Sequence, residues 1–215
     1  TPTRAVSFAT DSWEVIQEEA ERISNFYEQY GMIPFNTPYK IYDPENNDTD
    51  NIRTITLSTN EQIQIAIIGM CHDTLTNAYS GGGTKAGITW QMVNCLQTRQ
   101  QMYSSATNVG GYANSIPKSL MPTYLSQLPN GLQTITKEVQ KQTSAGGQSS
   151  TINTTTEKLF LISCVECMGT TYRDTNTNYA YAGEGTQYEF YANAPLITDT
   201  SNRTWVGINS TTKGT

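Results

Sequence analysis

The sequence predicts an α+β protein in which helices are inserted among antiparallel strands, and three observations carry that prediction. A stretch near the N-terminus repeats its apolar residues at helical spacing. Two period-two runs on either side of Thr59-Asn60 predict a hairpin. Two proline-started helical segments then interrupt the strands in mid-chain.

Asp11 to Tyr30 is the clearest helix, because Trp13, Ile16, Ala20, Ile23, Tyr27 and Tyr30 form one apolar stripe. Asp11 followed by Glu14 reads as its capping box, and Gly31 as its stop. Glu18, Glu21 and Glu28 fall off the stripe, on a solvated face. The stripe packs either on the domain body or on another copy. Met32 to Asn51 is a connector rich in Pro, Asn and Asp, with Pro34, Pro38 and Pro44. Arg53 to Ser58 and Gln62 to Ile68 alternate as the two hairpin strands. Ile88 to Leu96 reads as a further strand, bulged near Met92-Val93. Pro117 to Leu128 and Pro129 to Val139 read as short helices, and Thr143 to Thr156 as a Ser/Thr/Gly loop. Lys158 to Val165 is apolar on both faces and is expected to be a central buried strand.

At 215 residues the chain fits one large domain, or one domain with an N-terminal appendage. The expected division places the amphipathic helix and connector in 1–51 and the main α+β domain in 52–215. Such a length buries a core without disulfides or metal. Hydrophobic residues are 36% and charged residues 15%, so Thr, Asn, Gln, Ser and Gly fill the difference. That composition suits an extracellular or particle-surface protein. A net charge of -6 without a Lys/Arg cluster excludes duplex nucleic acid as a partner. The longest apolar run, Ile63 to Met70, is too short and too interrupted by Gln64 to span a bilayer. The chain opens Thr-Pro-Thr without a Met, so the expectation is a removed upstream segment or a piece of a longer chain.

No catalytic pattern is complete. Ser80-Gly-Gly-Gly-Thr-Lys-Ala lacks the Gly-Lys-Ser/Thr ending of a phosphate loop and reads as a mobile loop. Cysteines at 71, 95, 164 and 167 permit three pairings, but 164 and 167 would point to opposite faces of a strand. Buried free thiols, or a bridge from Cys71 or Cys95, remain. His72 is the only histidine. A zinc site from Cys71, His72, Cys164 and Cys167 is opposed by strand geometry, as is a His-Cys nucleophilic pair. His72 and Asp73 more simply tie off a strand end. Glu166, Glu184 and Glu189 supply carboxylates, but spacing alone does not set two of them across a cleft. No reaction, metal or cofactor is expected.

The tyrosines after Gly169 carry most of the functional reading. Tyr172, Tyr179, Tyr181, Tyr188 and Tyr191, with Trp205, sit among Asn, Thr, Ser and Gly. Tyr offers contact area at small entropy cost, while small polar neighbours adapt their hydrogen bonds. Tyr172, Tyr179, Tyr181 and Trp205 are the expected ligand-binding residues, with sugars as a suitable stacking partner. The alternative is that these rings serve the core and assembly contacts.

Several segments recur in one order: Ser7-Phe-Ala-Thr-Asp-Ser-Trp, Ile55-Thr-Leu-Ser-Thr-Asn-Glu, Ile68-Gly-Met-Cys-His-Asp-Thr-Leu, Lys85-Ala-Gly-Ile-Thr-Trp, Asn108-Val-Gly-Gly-Tyr, Leu128-Pro, Lys141-Gln-Thr-Ser-Ala-Gly, Glu157-Lys-Leu-Phe-Leu-Ile-Ser and Glu184-Gly-Thr-Gln-Tyr-Glu. Their order over nearly the whole chain resembles the domain-of-unknown-function family 6273 of gut Firmicutes surface proteins and prophages. The resemblance implies a C-type-lectin-like domain and a non-enzymatic virion or surface protein used for attachment or decoration. Its implied partners are copies of itself, other virion or surface subunits, and a host-surface glycan or protein. An architectural subunit of a virion or filament is the alternative, and a carbohydrate-active enzyme a third. Ser24 to Asn51 is longer than is usual in that family, and the family continues past the equivalent of Trp205. The expectation is therefore that closing strands and part of the ligand face lie in a continuation, come from another chain, or have been lost.

Overall fold

A computed structural model describes residues 7–46, 48–105, 107, 110–146, 149, 151–169, 183–193, 198–199, 204–206 and 213–214, without the side chains of 164, 168 and the last three strands. The protein is α+β, with small antiparallel sheets and helices between them.

Helix α1, Trp13–Tyr30, starts one residue later than the sequence predicts. Its N-cap is Ser12, whose hydroxyl accepts from Val15 N; Asp11 is buried instead and accepts from Ser7 N and the Tyr39 hydroxyl. The shorter Ser side chain serves the cap, leaving the Asp11 carboxylate to hold the incoming chain and connector together. Gly31 ends the helix with φ 68°, in the left-handed region that glycine enters without strain.

Strands β1, Ile52–Thr56, and β2, Gln62–Gly69, form the hairpin, with Ile52 opposite Ala66 and Thr56 opposite Gln62. Strand β3 is only Thr89–Met92, and the irregularity falls on β2 between Ile67 and Gly69 rather than at Met92-Val93. Period two sends Ile63, Ile65 and Ile67 to one face of β2. There they join Phe8, Ile16, Tyr39, Ile55, Leu57, Leu128 and Leu132 in the main core. Ile68 faces the other way, among Cys167, Tyr188, Phe190 and Tyr191.

The chain after β2 doubles back along α1. Ser80 Oγ donates to Glu21, Gly83 N to Asn25 Oδ1, and Thr84 N to Glu28. The glycine loop expected to be mobile is thus held by the helix face expected to be solvated. A Cβ at Gly87 would lie 1.8 Å from the Ala20 carbonyl oxygen, so backbone meets helix there and only glycine fits.

Helices α2, Ile116–Gln127, and α3, Asn130–Ile135, follow, and Val139 begins a strand instead of ending a helix. Strand β4, Val139–Ser144, pairs with β5, Ile152–Glu157, where the sequence predicts a loop. β-branched Thr154, Thr155 and Thr156 suit the pleated pairing, and Val139, Lys141 and Thr143 alternate inward. The Leu75–Val139 bridge ties this hairpin to the segment after β2.

Lys158 to Val165 is not the buried strand its apolar run predicts. It runs without pairing into helix α4, Cys164–Met168. Ser163 and Glu166 form a reciprocal capping box, and that local signal wins over the apolar run. Helix α5, Glu189–Asn193, then packs on β2. Strands β6, Thr198–Asp199, β7, Thr204–Val206, and β8, Lys213–Gly214, pair antiparallel in that order. Among the described residues no helix is long and apolar enough to cross a membrane.

Candidate functional site

Three separate stretches of chain converge on one ammonium group. Strand β4 points Lys141 inward, and its Nζ donates to Asp73 Oδ1 at 2.8 Å, to Tyr188 Oη at 3.1 Å and to Glu166 Oε1. Asp73 follows Cys71, a non-glycine residue at φ 51° that turns the chain inward after β2. Glu166 is placed by the capping box of α4, and Tyr188 by the approach to α5. The Tyr188 hydroxyl donates to Asp73 Oδ2 at 2.8 Å, and the Thr89 hydroxyl donates to the same oxygen at 2.7 Å. His72 stacks on the Tyr188 ring, with centroids 3.9 Å apart, and Phe160 presents its ring 4.1 Å from Nζ.

The side chains of Lys141, Asp73 and Glu166 are 3%, 4% and 4% exposed, so none is solvated enough to stand alone. Burial pushes the Asp73 carboxyl up, but the Lys141 charge and the bonds from Lys141, Thr89 and Tyr188 outweigh it and hold it below its ordinary value. Glu166 moves the other way: burial raises it, and Lys141 offsets that only in part. Burial also lowers His72 and raises the Tyr188 hydroxyl. One internal cation thus balances one firm carboxylate, with a second carboxyl sharing it.

The arrangement bears on several chemical readings. His72, Asp73 and Glu166 bring ligand atoms within 4.8 Å of one another, as a metal would need. The Lys141 ammonium already bonds both carboxylates, so the protein supplies the cation itself. A lysine has three donors, and Asp73, Glu166 and Tyr188 take all of them, so the Lys141 nitrogen has no unengaged position. Glu184 Oε1 accepts from Ser144 N at 2.7 Å, and Glu189 is held against the Met70 backbone. Cys71, Cys95 and Cys167 form no disulfide; Cys71 and Cys167 are buried, whereas Cys95 is exposed. Burial raises the Cys71 thiol to about 12, which removes it as a nucleophile at neutral pH.

Of the predicted binding residues, Tyr172, Tyr179 and Tyr181 lie outside the described residues. Trp205 lies in β7, opposite Thr198 and Gly214, with its side chain likewise outside the description. Tyr188 and Tyr191 prove to be core residues, 0% and 8% exposed. What the structure does bring together is the two stems of the tyrosine-rich segment. Gly169 closes α4 on one side. On the other, the Glu184 carbonyl accepts from Ser163 Oγ at 3.0 Å, Gln187 Nε2 donates to the Cys167 carbonyl at 2.9 Å, and Tyr188 N donates to the Glu166 carbonyl. Sequence reasoning missed Lys141 as the centre of this arrangement. The signal available was a lone cation at an inward position of Val139-Gln-Lys141-Gln-Thr143.

Comparison with known proteins finds no family model that matches the chain, no match among curated proteins and none among solved structures.

Proposed function

We propose that the chain is a non-enzymatic module of a virion or bacterial surface, attaching to a host-surface glycan or protein through its tyrosine-rich segment. In this reading the domain is C-type-lectin-like and related to family 6273, as the sequence resemblance implies. One observation carries it: both stems of residues 170–182 are fastened to the buried Lys141 cluster. Binding residues are characteristically displayed on loops that a rigid scaffold positions. Thr170 to Ala182 holds Tyr172, Tyr179 and Tyr181 among Thr, Asn and Asp, a composition fitted to recognition. The engagement of Lys141 and Glu166 by protein groups supports a non-enzymatic role.

Retention of the purified chain on a glycan array tests the proposal. Replacing Tyr172, Tyr179 and Tyr181 together by Ala should lower retention at least about tenfold, since several aromatic contacts of about 1 kcal/mol each are lost. Unchanged circular dichroism should accompany it. Equal retention by the variant, or none by the natural sequence, would remove the attachment reading.

An architectural subunit is the second reading, favoured by exposed apolar side chains at the C-terminal end of α1 and in the segment after it. Phe35 is 94% exposed, with Tyr30 at 57% and Met32 at 45%. A chain that sediments as a closed oligomer and binds no glycan would shift the function to assembly.

A further inference from the structure

A cavity of about 1200 Å³ lies between the start of α1, β3 with the chain after it, α3, and the unpaired stretch that follows β5. That is more space than a small-molecule pocket ordinarily offers. Trp13, Trp90, Met92, Leu96, Ile135 and Leu159 line it, and each packs on the main core yet is only partly buried. Protein interiors ordinarily close around their apolar side chains and leave few voids larger than a water molecule. Here large apolar side chains from four segments keep accessible surface on the wall of one space. Lys158 to Ile162, the start of the apolar run that forms no strand, lies along the same wall instead of in a sheet.

Charge gives this space a direction. Arg99, Lys137 and Lys158 belong to its wall, and Asp73 is the only acidic residue there. Asp73 is already paired with Lys141. The chain as a whole carries 19 acidic against 13 basic residues, so the wall reverses the balance of the molecule. No ion pair among the described residues takes up any of the three cations. Two of them share one end of the cavity. Val139 of β4 lies opposite Glu157 of β5, so Lys137, just before that pair, and Lys158, just after it, leave the same end of the hairpin. The Lys137 ammonium sits 5.6 Å over the ring of Tyr79, another wall residue. An apolar space with two cations at one end is complementary to a long apolar tail with an anionic head. A wholly polar guest would leave the apolar wall unmatched, and a cationic amphiphile would meet like charge.

We infer that this cavity binds one long-chain fatty-acid carboxylate, its tail against Trp90, Met92, Leu96 and Leu159 and its head between Lys137 and Lys158. The site is separate from the tyrosine-rich segment, and the inference goes beyond the attachment reading without resting on it.

Isothermal titration of the full chain with octanoate, decanoate, dodecanoate and tetradecanoate, each below its micelle concentration, tests it. Binding should be one to one and should tighten about fourfold for each added methylene until the cavity is full. Dodecanol, with the same tail and no charge, should bind about three- to tenfold more weakly than dodecanoate. Lys137→Gln combined with Lys158→Gln should abolish that preference, and because both lysines are exposed the melting temperature should not change. Leu96→Asp places a charge against the tail and should weaken dodecanoate binding at least about tenfold. If no carboxylate binds, if affinity ignores tail length, or if the double Gln variant keeps its preference for dodecanoate, the inference is overturned. A dimer in sedimentation whose formation shields this wall from dodecanoate would overturn it in favour of a second copy. Binding to phosphatidylglycerol vesicles with none to monomeric dodecanoate would overturn it in favour of a lipid surface.

Discussion

On one face of the β1–β3 sheet, Ile16, Ile55, Leu57, Ile63, Ile65, Ile67, Leu128 and Leu132 form one buried apolar cluster. Beside β4 the same chain buries Lys141, Asp73, Glu166 and Tyr188 in mutual contact. The first region gains from apolar area removed from water, which is non-directional and tolerant of local change. The second gains little net from its charges, since desolvation opposes their attraction, but it demands that each partner be present. The apolar region therefore supplies stability, while the polar region fixes the relative placement of β4, α4 and α5. That placement holds the stems of the tyrosine-rich segment.

Breaking the polar region should have the largest effect. Lys141→Met leaves Asp73 and Glu166 buried without their cation and should cost about 3–5 kcal/mol in urea unfolding at neutral pH. Adding Asp73→Asn should recover part of that loss, and the cost should shrink in acid as the stranded carboxylates take up protons. Additive losses in the double variant would sink the view that the cluster acts as a unit. In the apolar region, Ile65→Ala at a fully buried site should cost about 2–4 kcal/mol. Its cost should be the same in acid as at neutral pH; a strong pH dependence would blur the distinction between the regions.

The smallest effect concerns Glu184. Burial, then the Glu166 charge, raises its carboxyl above the ordinary 4.5. A raised folded value means the native state binds the proton more readily than the unfolded chain. Its contribution to stability is then fully present below about 4.5 and is lost as pH rises through the folded value. Glu184→Gln mimics the protonated form and keeps an oxygen for Ser144 N. Its melting temperature relative to the natural sequence should therefore be highest at neutral pH and fall towards parity near pH 4.5. Reading a difference cancels the opposing contribution of His72, whose buried imidazole is lowered. A difference that does not change with pH would show Glu184 to be solvated.

The apolar region was the legible one. The stripe of α1 and the alternation in β1 and β2 are periodic, and period reports directly which side is buried. Lys158 to Val165 misled because an apolar run does not by itself separate a strand from a buried irregular segment. Ser163-Cys-Val-Glu166 held the corrective signal, a capping box in plain sequence. The strand β5 was hidden by its composition, since Thr-rich runs serve loops and strands alike until a partner strand is present.

The candidate site was almost illegible. Asp73, Lys141, Glu166 and Tyr188 are far apart along the chain and belong to four different segments. Each taken alone is an ordinary residue, and a single charge at one inward position has no period to reveal it. The sequence by itself determined the α+β class, the first helix with its glycine stop, the hairpin, and the aromatic, weakly charged composition after Gly169. Only the tertiary structure decided that Tyr188 and Tyr191 are core, that the glycine loop is held on α1, and that one lysine joins three distant segments. Local periodicity follows from bond geometry within a few residues, whereas partners for a buried charge are chosen across the whole fold.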